Sequence, residues 1–359
     1  MTYDGGVLVL DGLTAKVLGD LPAKGFTRLN AAGDERHLFL TEGDEFRVLD
    51  LGAWSEPHGD HAHRYAGDPR PTDIAFTSKK PGHVVVHDGK TVLYGDGNGK
   101  VESFDSASMQ SGTAPTTQVW TDPKPHHGVA VRRADGSLVT SKAAPPAKPD
   151  GVVILDAART RIAENSDCPG LHGEAAAADH VLAFGCENGI LIVKGSQFTK
   201  VAAPDPYGRI GNQAGSAKSP IVLGDYKVDK GAELERPQRI SLTDTRTNTL
   251  RLLDLPASYS FRSLRRAPDG AGLVLGTDGV LRVIDVTAGK IATEIPLTKP
   301  WEEPKEWQKP RPAIHVQDGT AYVTEPADRL LHLVDLASGS LVKSVQLPRV
   351  PNEINGTLG

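Results

Sequence analysis

Between Glu56 and Tyr65 the chain reads Glu-Pro-His-Gly-Asp-His-Ala-His-Arg-Tyr, which places His58, His61 and His63 close together with Asp60 among them. In an extended backbone the side-chain period of two puts His61 and His63 on one face. Paired imidazoles with a carboxylate nearby are a ligand set for zinc, whereas magnesium and calcium take oxygen ligands. The plainer alternative is a solvated loop that is merely rich in histidine. The rest of the histidine inventory favours the metal reading. Of 12 His in the chain, eight (His58, His61, His63, His83, His87, His126, His127 and His172) fall between Glu56 and Gly173.

Such residues are useful only if the fold brings them together. One pattern recurs along the chain: three or four alternating apolar residues, usually closed by Asp. It occurs at Val7–Asp11, Phe46–Asp50, Val101–Asp105, Val152–Asp156, Ile240–Asp244, Leu281–Asp285 and Leu331–Asp335, and at Ile190–Val193 without the acid. Eight copies roughly 40 to 55 residues apart have the period of propeller blades. Short strands joined by turns such as Asp135-Gly136 and Asp318-Gly319, with no helical period, predict an all-β chain. The expectation is a single β-propeller domain over residues 1–359 with about eight four-stranded blades and a histidine-rich loop at 56–65. Seven blades is the near alternative, with the Ile190 copy the one in question.

In a propeller the first strand of each blade lines the central channel, so residues entering those strands converge from distant parts of the sequence. Aligning these segments predicts a ring of Arg28, Asp73, His127, His172, Asn212, positions near Leu264 and Ala313, and Glu353. Asp73, His127 and His172 come from consecutive repeats and could close on one zinc ion, with water or a histidine from the Glu56–Tyr65 loop in the fourth place. The alternative is that these polar side chains simply hydrate the channel.

Composition narrows the remaining choices. The 38 Gly and 26 Pro suit many turns, and 38% hydrophobic residues suffice for a core at this length. A net charge of −5 and a pI near 6.2 leave no basic footprint for nucleic acid. No apolar run is long enough for a membrane span. No secretory leader is recognisable after Met1, and the chain is expected to be a mature or trimmed form. The two cysteines, Cys168 and Cys186, point outside the cytoplasm: a bridge between them would close a loop of about 18 residues, worth roughly 3 kcal/mol. Two buried thiols, or two zinc ligands lacking the tight spacing of thiolate sites, are the other readings.

Several stretches resemble the AztD-type zinc metallochaperones, extracytoplasmic β-propellers that serve zinc-importing ABC transporters. They are His58–Tyr65, Gly82–Gly89, Tyr94–Val101, His126–Val131, and Cys168–Ala175 with Phe184–Cys186, so the resemblance runs from about Phe46 to Ile192. It implies a periplasmic or cell-surface carrier that holds Zn(II) and hands it to the solute-binding protein of a zinc ABC importer. It implies a monomer without a membrane span, a lipid anchor ahead of Met1 being compatible with it. By matching motif, His58, His61 and His63 take the role of a mobile metal-binding loop, and His127 (in the His126-His127-Gly128 motif) and His172 that of the axial site. Asp73 departs from the pattern, standing where a histidine is expected.

Two other functions suit the residues less well. A zinc-dependent lactonase or hydrolase could use Glu174, two residues after His172, as base, but the loop histidines have no place in that chemistry. A propeller that only docks partners would bind zinc weakly or not at all. Gly95-x-Gly97-x-Gly99 reads as a hairpin turn and not as a phosphate loop. No Gly-x-Ser-x-Gly elbow is present.

Overall fold

The computed structural model describes residues 1–357, with the backbone alone at Pro57. The chain forms eight four-stranded blades, an eight-bladed β-propeller. All eight copies of the sequence motif lie in the third strand of their blades, and the Ile190 copy is a true member, in Asn188–Lys194. Alternating apolar side chains give each of these strands a buried face for a neighbouring sheet, which is why they were the most legible part of the sequence.

The chain divides into two compact units: Met1–Val139 with Asp156–Arg159 and the stretch from Leu347, and Thr140–Leu155 with Thr160–Gln346. In the first unit, the first blade takes Thr2–Tyr3, Gly6–Leu10 and Val17–Pro22 from the start of the chain. Its remaining strand position is filled from the far end of the sequence. The Thr2 N–H donates to the Glu353 carbonyl (2.9 Å) and the Asn352 N–H to the Thr2 carbonyl (2.8 Å). Glu353 also reaches the second blade, its carboxylate accepting the Leu29 N–H at 3.1 Å.

The second blade comprises Leu29–Ala31, His37–Glu42, Glu45–Asp50 and Arg70–Thr77, and the third Pro81–His87, Lys90–Gly95, Lys100–Asp105 and Gln118–Thr121. Between them Phe39 meets Phe46, Phe76 and Phe104 edge-on, with ring centroids 5.8 to 6.4 Å apart, while Phe76 and Phe104 stack at 5.4 Å. Each of these buried rings contributes roughly 1.5–3 kcal/mol by leaving water. Few aromatics are needed because they concentrate where two sheets meet.

The second blade carries an insertion. In the seventh and eighth blades Asp285 leads to Lys290 and Asp335 to Ser340 through tight turns, but Asp50 leads to Arg70 only after a separate two-stranded hairpin, Ala53–His58 with His61–Ala66. The histidine-rich segment is therefore an ordered hairpin and not the loop the sequence suggested. The insertion also shifts the alignment that placed Asp73 at the head of an inner strand. Asp73 lies exposed in Arg70–Thr77, the fourth strand of the second blade, and the first strand of the third blade begins at Pro81. His83 occupies the place assigned to Asp73.

The second unit holds the blades that start at His172, Gln213, Leu264 and Ile314. In its cores aliphatic side chains of neighbouring sheets meet, in two of them around a buried ring, as Ile221, Leu223 and Leu242 do against Tyr259. Cys168 and Cys186 are joined (S–S 2.02 Å) and fully buried, tying the segment before His172–Ala176 to the second strand of that blade. Among the described residues no helix is long and apolar enough to cross a membrane.

Candidate metal centres

The hairpin inserted in the second blade turns on Gly59 and Asp60. A two-residue hairpin turn with glycine at its first central position needs positive φ there, and Gly59 has φ 63°. The register pairs His58 with His61, Glu56 with His63, and Trp54 with Tyr65. All six therefore lie on one face, and the sequence expectation for His61 and His63 extends to His58. The three rings form a near-equilateral triangle, with centroids 5.2, 5.1 and 5.0 Å apart. One ligand atom from each lies within 4.8 Å of the others, and all three histidines are exposed. His61 Nδ1 lies 3.1 Å from the Asp60 carboxylate.

The base of the hairpin is anchored. Trp54 stacks on Tyr65 (5.3 Å, 16° between planes), and the Arg36 guanidinium lies 4.5 Å from the Trp54 ring. Arg36 donates through Nε and Nη2 to the two oxygens of Asp50 (3.0 and 2.7 Å), a bidentate fork that fixes its plane. Burial works against the charge on Asp50, but hydrogen bonds from Arg36 and the Gly52 N–H outweigh it and hold the carboxyl below its ordinary range. From Glu56 to Ala66 every described side chain is exposed, so the tip is an arm standing on a fixed base.

A second histidine arrangement in the same unit lies at the third blade. His83, in the first strand, and His127, in the segment before Ala130–Arg132, have ring centroids 4.9 Å apart. His83 Nδ1 is 2.9 Å from the Gly128 carbonyl, and His127 Nδ1 is 2.5 Å from Asp96 Oδ2. A carbonyl or carboxylate oxygen only accepts, so each Nδ1 carries a proton, and in the neutral imidazole Nε2 keeps the lone pair. This is the oriented tautomer that metal-ligating histidines adopt. Asp96 is itself held by the Gly128 N–H (3.3 Å) and lies against Gly82, where a Cβ would come within 2.3 Å of Oδ1. Gly82 is thus required for Asp96 to reach His127.

His172 opens its blade in the second unit and is half-buried. Its Nδ1 lies 2.5 Å from the Gly211 carbonyl, which imposes the same tautomer. Burial pushes the nearby Glu174 carboxyl up to about 8.

The other predicted ligands sit elsewhere. His126 is 4% exposed and packs on Tyr94, with Nδ1 2.7 Å from the Lys124 carbonyl and 3.7 Å from Asp122, whose carboxyl burial pushes up. Neither His126 nor Asp73 joins a group of three metal-capable side chains among the described residues. Sequence reasoning missed Asp96. Its position in a glycine-rich turn was visible, but a carboxylate in a tight turn ordinarily caps backbone N–H groups, and only the fold brings His127 to it.

No family model matches the chain. It is 28% identical to the zinc chaperone AztD of Citrobacter koseri, over 97% of this chain and 83% of that protein. The crystal structure of that protein superposes with a TM-score of 0.83 at 27% identity, covering 98% of this chain and 94% of the other. The apo form gives 0.82 at 26% with the same coverage. The resemblance first seen from Phe46 to Ile192 therefore extends along nearly the whole chain.

Proposed function

We propose that this chain is a zinc carrier working outside the cytoplasm, one that holds Zn(II) on histidine and delivers it to the solute-binding protein of a zinc ABC importer. The observation that carries this reading is the exposed triangle of His58, His61 and His63. Zinc–nitrogen bonds of 2.0–2.1 Å at tetrahedral angles put ligand nitrogens about 3.4 Å apart. Ligand atoms already within 4.8 Å of one another need only small side-chain rotations to reach that spacing. Three imidazoles leave a fourth position open, and an acceptor's own ligand can enter there before the first bond breaks.

His83 and His127 are proposed as ligands of a second site. Both have Nδ1 held by an oxygen, which leaves Nε2 of the neutral ring for a metal, and His127 takes its orientation from Asp96. Histidine sites release zinc more readily than closed thiolate sites, and the only two cysteines are consumed in a disulfide. That bridge agrees with an oxidising compartment. The likeness to a zinc chaperone supports the same reading, in which the chain acts as a monomer and catalyses no turnover.

The test is transfer. Zinc-loaded protein without a histidine tag is mixed with the metal-free solute-binding protein of a zinc importer, and the zinc on each is measured after separation. The expected result is transfer faster than release of zinc to a dilute chromogenic chelator. Transfer no faster than that release contradicts delivery by contact. Hydrolysis of lactones or esters by the zinc-loaded chain would favour instead the reading in which Glu174 serves as base.

A further inference from the structure

His332, in the second unit, has no part in the metal reading. It belongs to the eighth blade, whose strands Ile314–Gln317, Thr320–Glu325, Leu330–Asp335 and Ser340–Gln346 follow one another across the sheet. His332 stands opposite Val323 on one side and Ser344 on the other. Glu325 follows Val323 by two residues, so the period of two puts Glu325, His332 and Ser344 on one face of the sheet.

Their side chains join in a line. His332 Nε2 lies 2.9 Å from Glu325 Oε2, and His332 Nδ1 lies 2.8 Å from Ser344 Oγ. The carboxylate is itself fixed, its Oε1 accepting the Lys299 N–H at 2.9 Å. A carboxylate only accepts, so Nε2 carries a proton, and in the neutral imidazole Nδ1 holds the lone pair to which the Ser344 hydroxyl donates. This is the division of labour that turns a serine into a nucleophile: a base takes its proton, and a third group orients the base. In serine proteases the two ring nitrogens exchange places, but the roles are the same, and such constellations are recognised by role and geometry.

Burial follows the roles. His332 and Glu325 are each 4% exposed, whereas Ser344 is exposed on the outermost strand. Leu341 and Val342, 47% and 60% exposed, offer apolar surface a short way along the same strand. Ser340–Gln346 is the last strand of its sheet among the described residues, so alternate backbone N–H groups along it point away from the ladder, where they can donate to an oxyanion.

We propose that Ser344 is an activated nucleophile that takes an acyl group from a short-chain carboxylic ester, with His332 as its base and Glu325 as the group that positions His332. Ser344 Oγ bonds to the carbonyl carbon as its proton passes to His332 Nδ1. The bond from that carbon to the alkoxy oxygen then breaks, and the departing oxygen takes the proton from Nδ1. The products are an ester on Ser344 and a free alcohol. None of these steps involves zinc, so the site is independent of the carrier reading.

The experiment treats metal-stripped protein with an alkyl fluorophosphonate, which caps activated serines stably, and places the adduct by peptide mass spectrometry. Nitrophenolate release from p-nitrophenyl acetate is followed in parallel. The expected adduct is on Ser344 and on no other serine, and Ser344→Ala, a change on an exposed strand, loses both the adduct and the release. His332→Gln should lower the maximal labelling rate by about 100-fold or more. Glu325→Gln should lower it by about tenfold or more with the half-saturating probe concentration unchanged, as a positioning role requires. Wild-type protein whose Ser344 takes no adduct, or the same labelling rate in wild type and both glutamine variants, would overturn the proposal. The three side chains would then only tie neighbouring strands together, and zinc carriage would stand as before.

Discussion

The hairpin tip and the His83–His127 arrangement use the same side chain in opposite settings. At the tip, three imidazoles stand in solvent on a two-residue turn, and His61 Nδ1 lies 3.1 Å from the exposed Asp60 carboxylate. At the third blade, each ring is held through Nδ1 by an oxygen that belongs to the sheet framework. Ordering an exposed, rotamer-rich side chain on binding costs about 0.5–1.5 kcal/mol. Three such costs arise at the tip, and most of that ordering is already complete around His127. The tip should therefore bind zinc more weakly and exchange it faster, which suits a hand-over point, while the framework site suits storage.

Several changes would break or sharpen this contrast. The largest effect is expected away from both metal stations. Replacing Cys168 and Cys186 together by Ser removes a cross-link over an 18-residue separation, worth about 3 kcal/mol in the chain-entropy model. The denaturation midpoint should fall accordingly, while zinc uptake by the exposed tip stays as in wild type. A loss of tip binding in that variant would show that the tip depends on the framework more than its exposure suggests.

Asp96→Asn tests orientation at the framework site. The amide keeps the shape but gives up the charge behind His127, and a lost outer-shell partner typically costs 10–100-fold in metal affinity. The expected result is a drop of that size at one site only, read by chelator competition. Trp54→Ala probes the anchor of the arm. It removes an aromatic stack worth ~0.5–1.5 kcal/mol and the Arg36 contact, so tip affinity should fall severalfold with the other site unchanged. Asp60→Asn should do least: its carboxylate is fully exposed, and tip affinity should move by less than about twofold. A large effect of Asp60→Asn would make it a ligand and not a bystander.

The contrast also explains what could be read from the sequence. The third strands were legible because a buried sheet face imposes strict alternation, and the tip histidines because a two-residue period is local. The disulfide needed only the count of cysteines. What failed was register across the insertion: with a hairpin hidden between Asp50 and Arg70, counting along the chain took Asp73 for an inner-strand residue and left His83 outside the ring. His126 and His127 are neighbours with identical chemistry. That one packs against Tyr94 and the other meets Asp96 depends on where the chain turns after Lys124, a matter of tertiary structure that no local pattern carries. Asp96 was illegible for the same reason, since its partner lies 31 positions away.

Histidine on this scaffold is expected to hold zinc at two stations. This expectation is tested most directly by counting zinc equivalents per chain in metal-stripped, untagged protein by chelator competition, with and without His127→Ala. Two equivalents are expected for the wild type and one, at the tip, for the variant. Fewer than one equivalent in the wild type, or an unchanged count in His127→Ala, would contradict it.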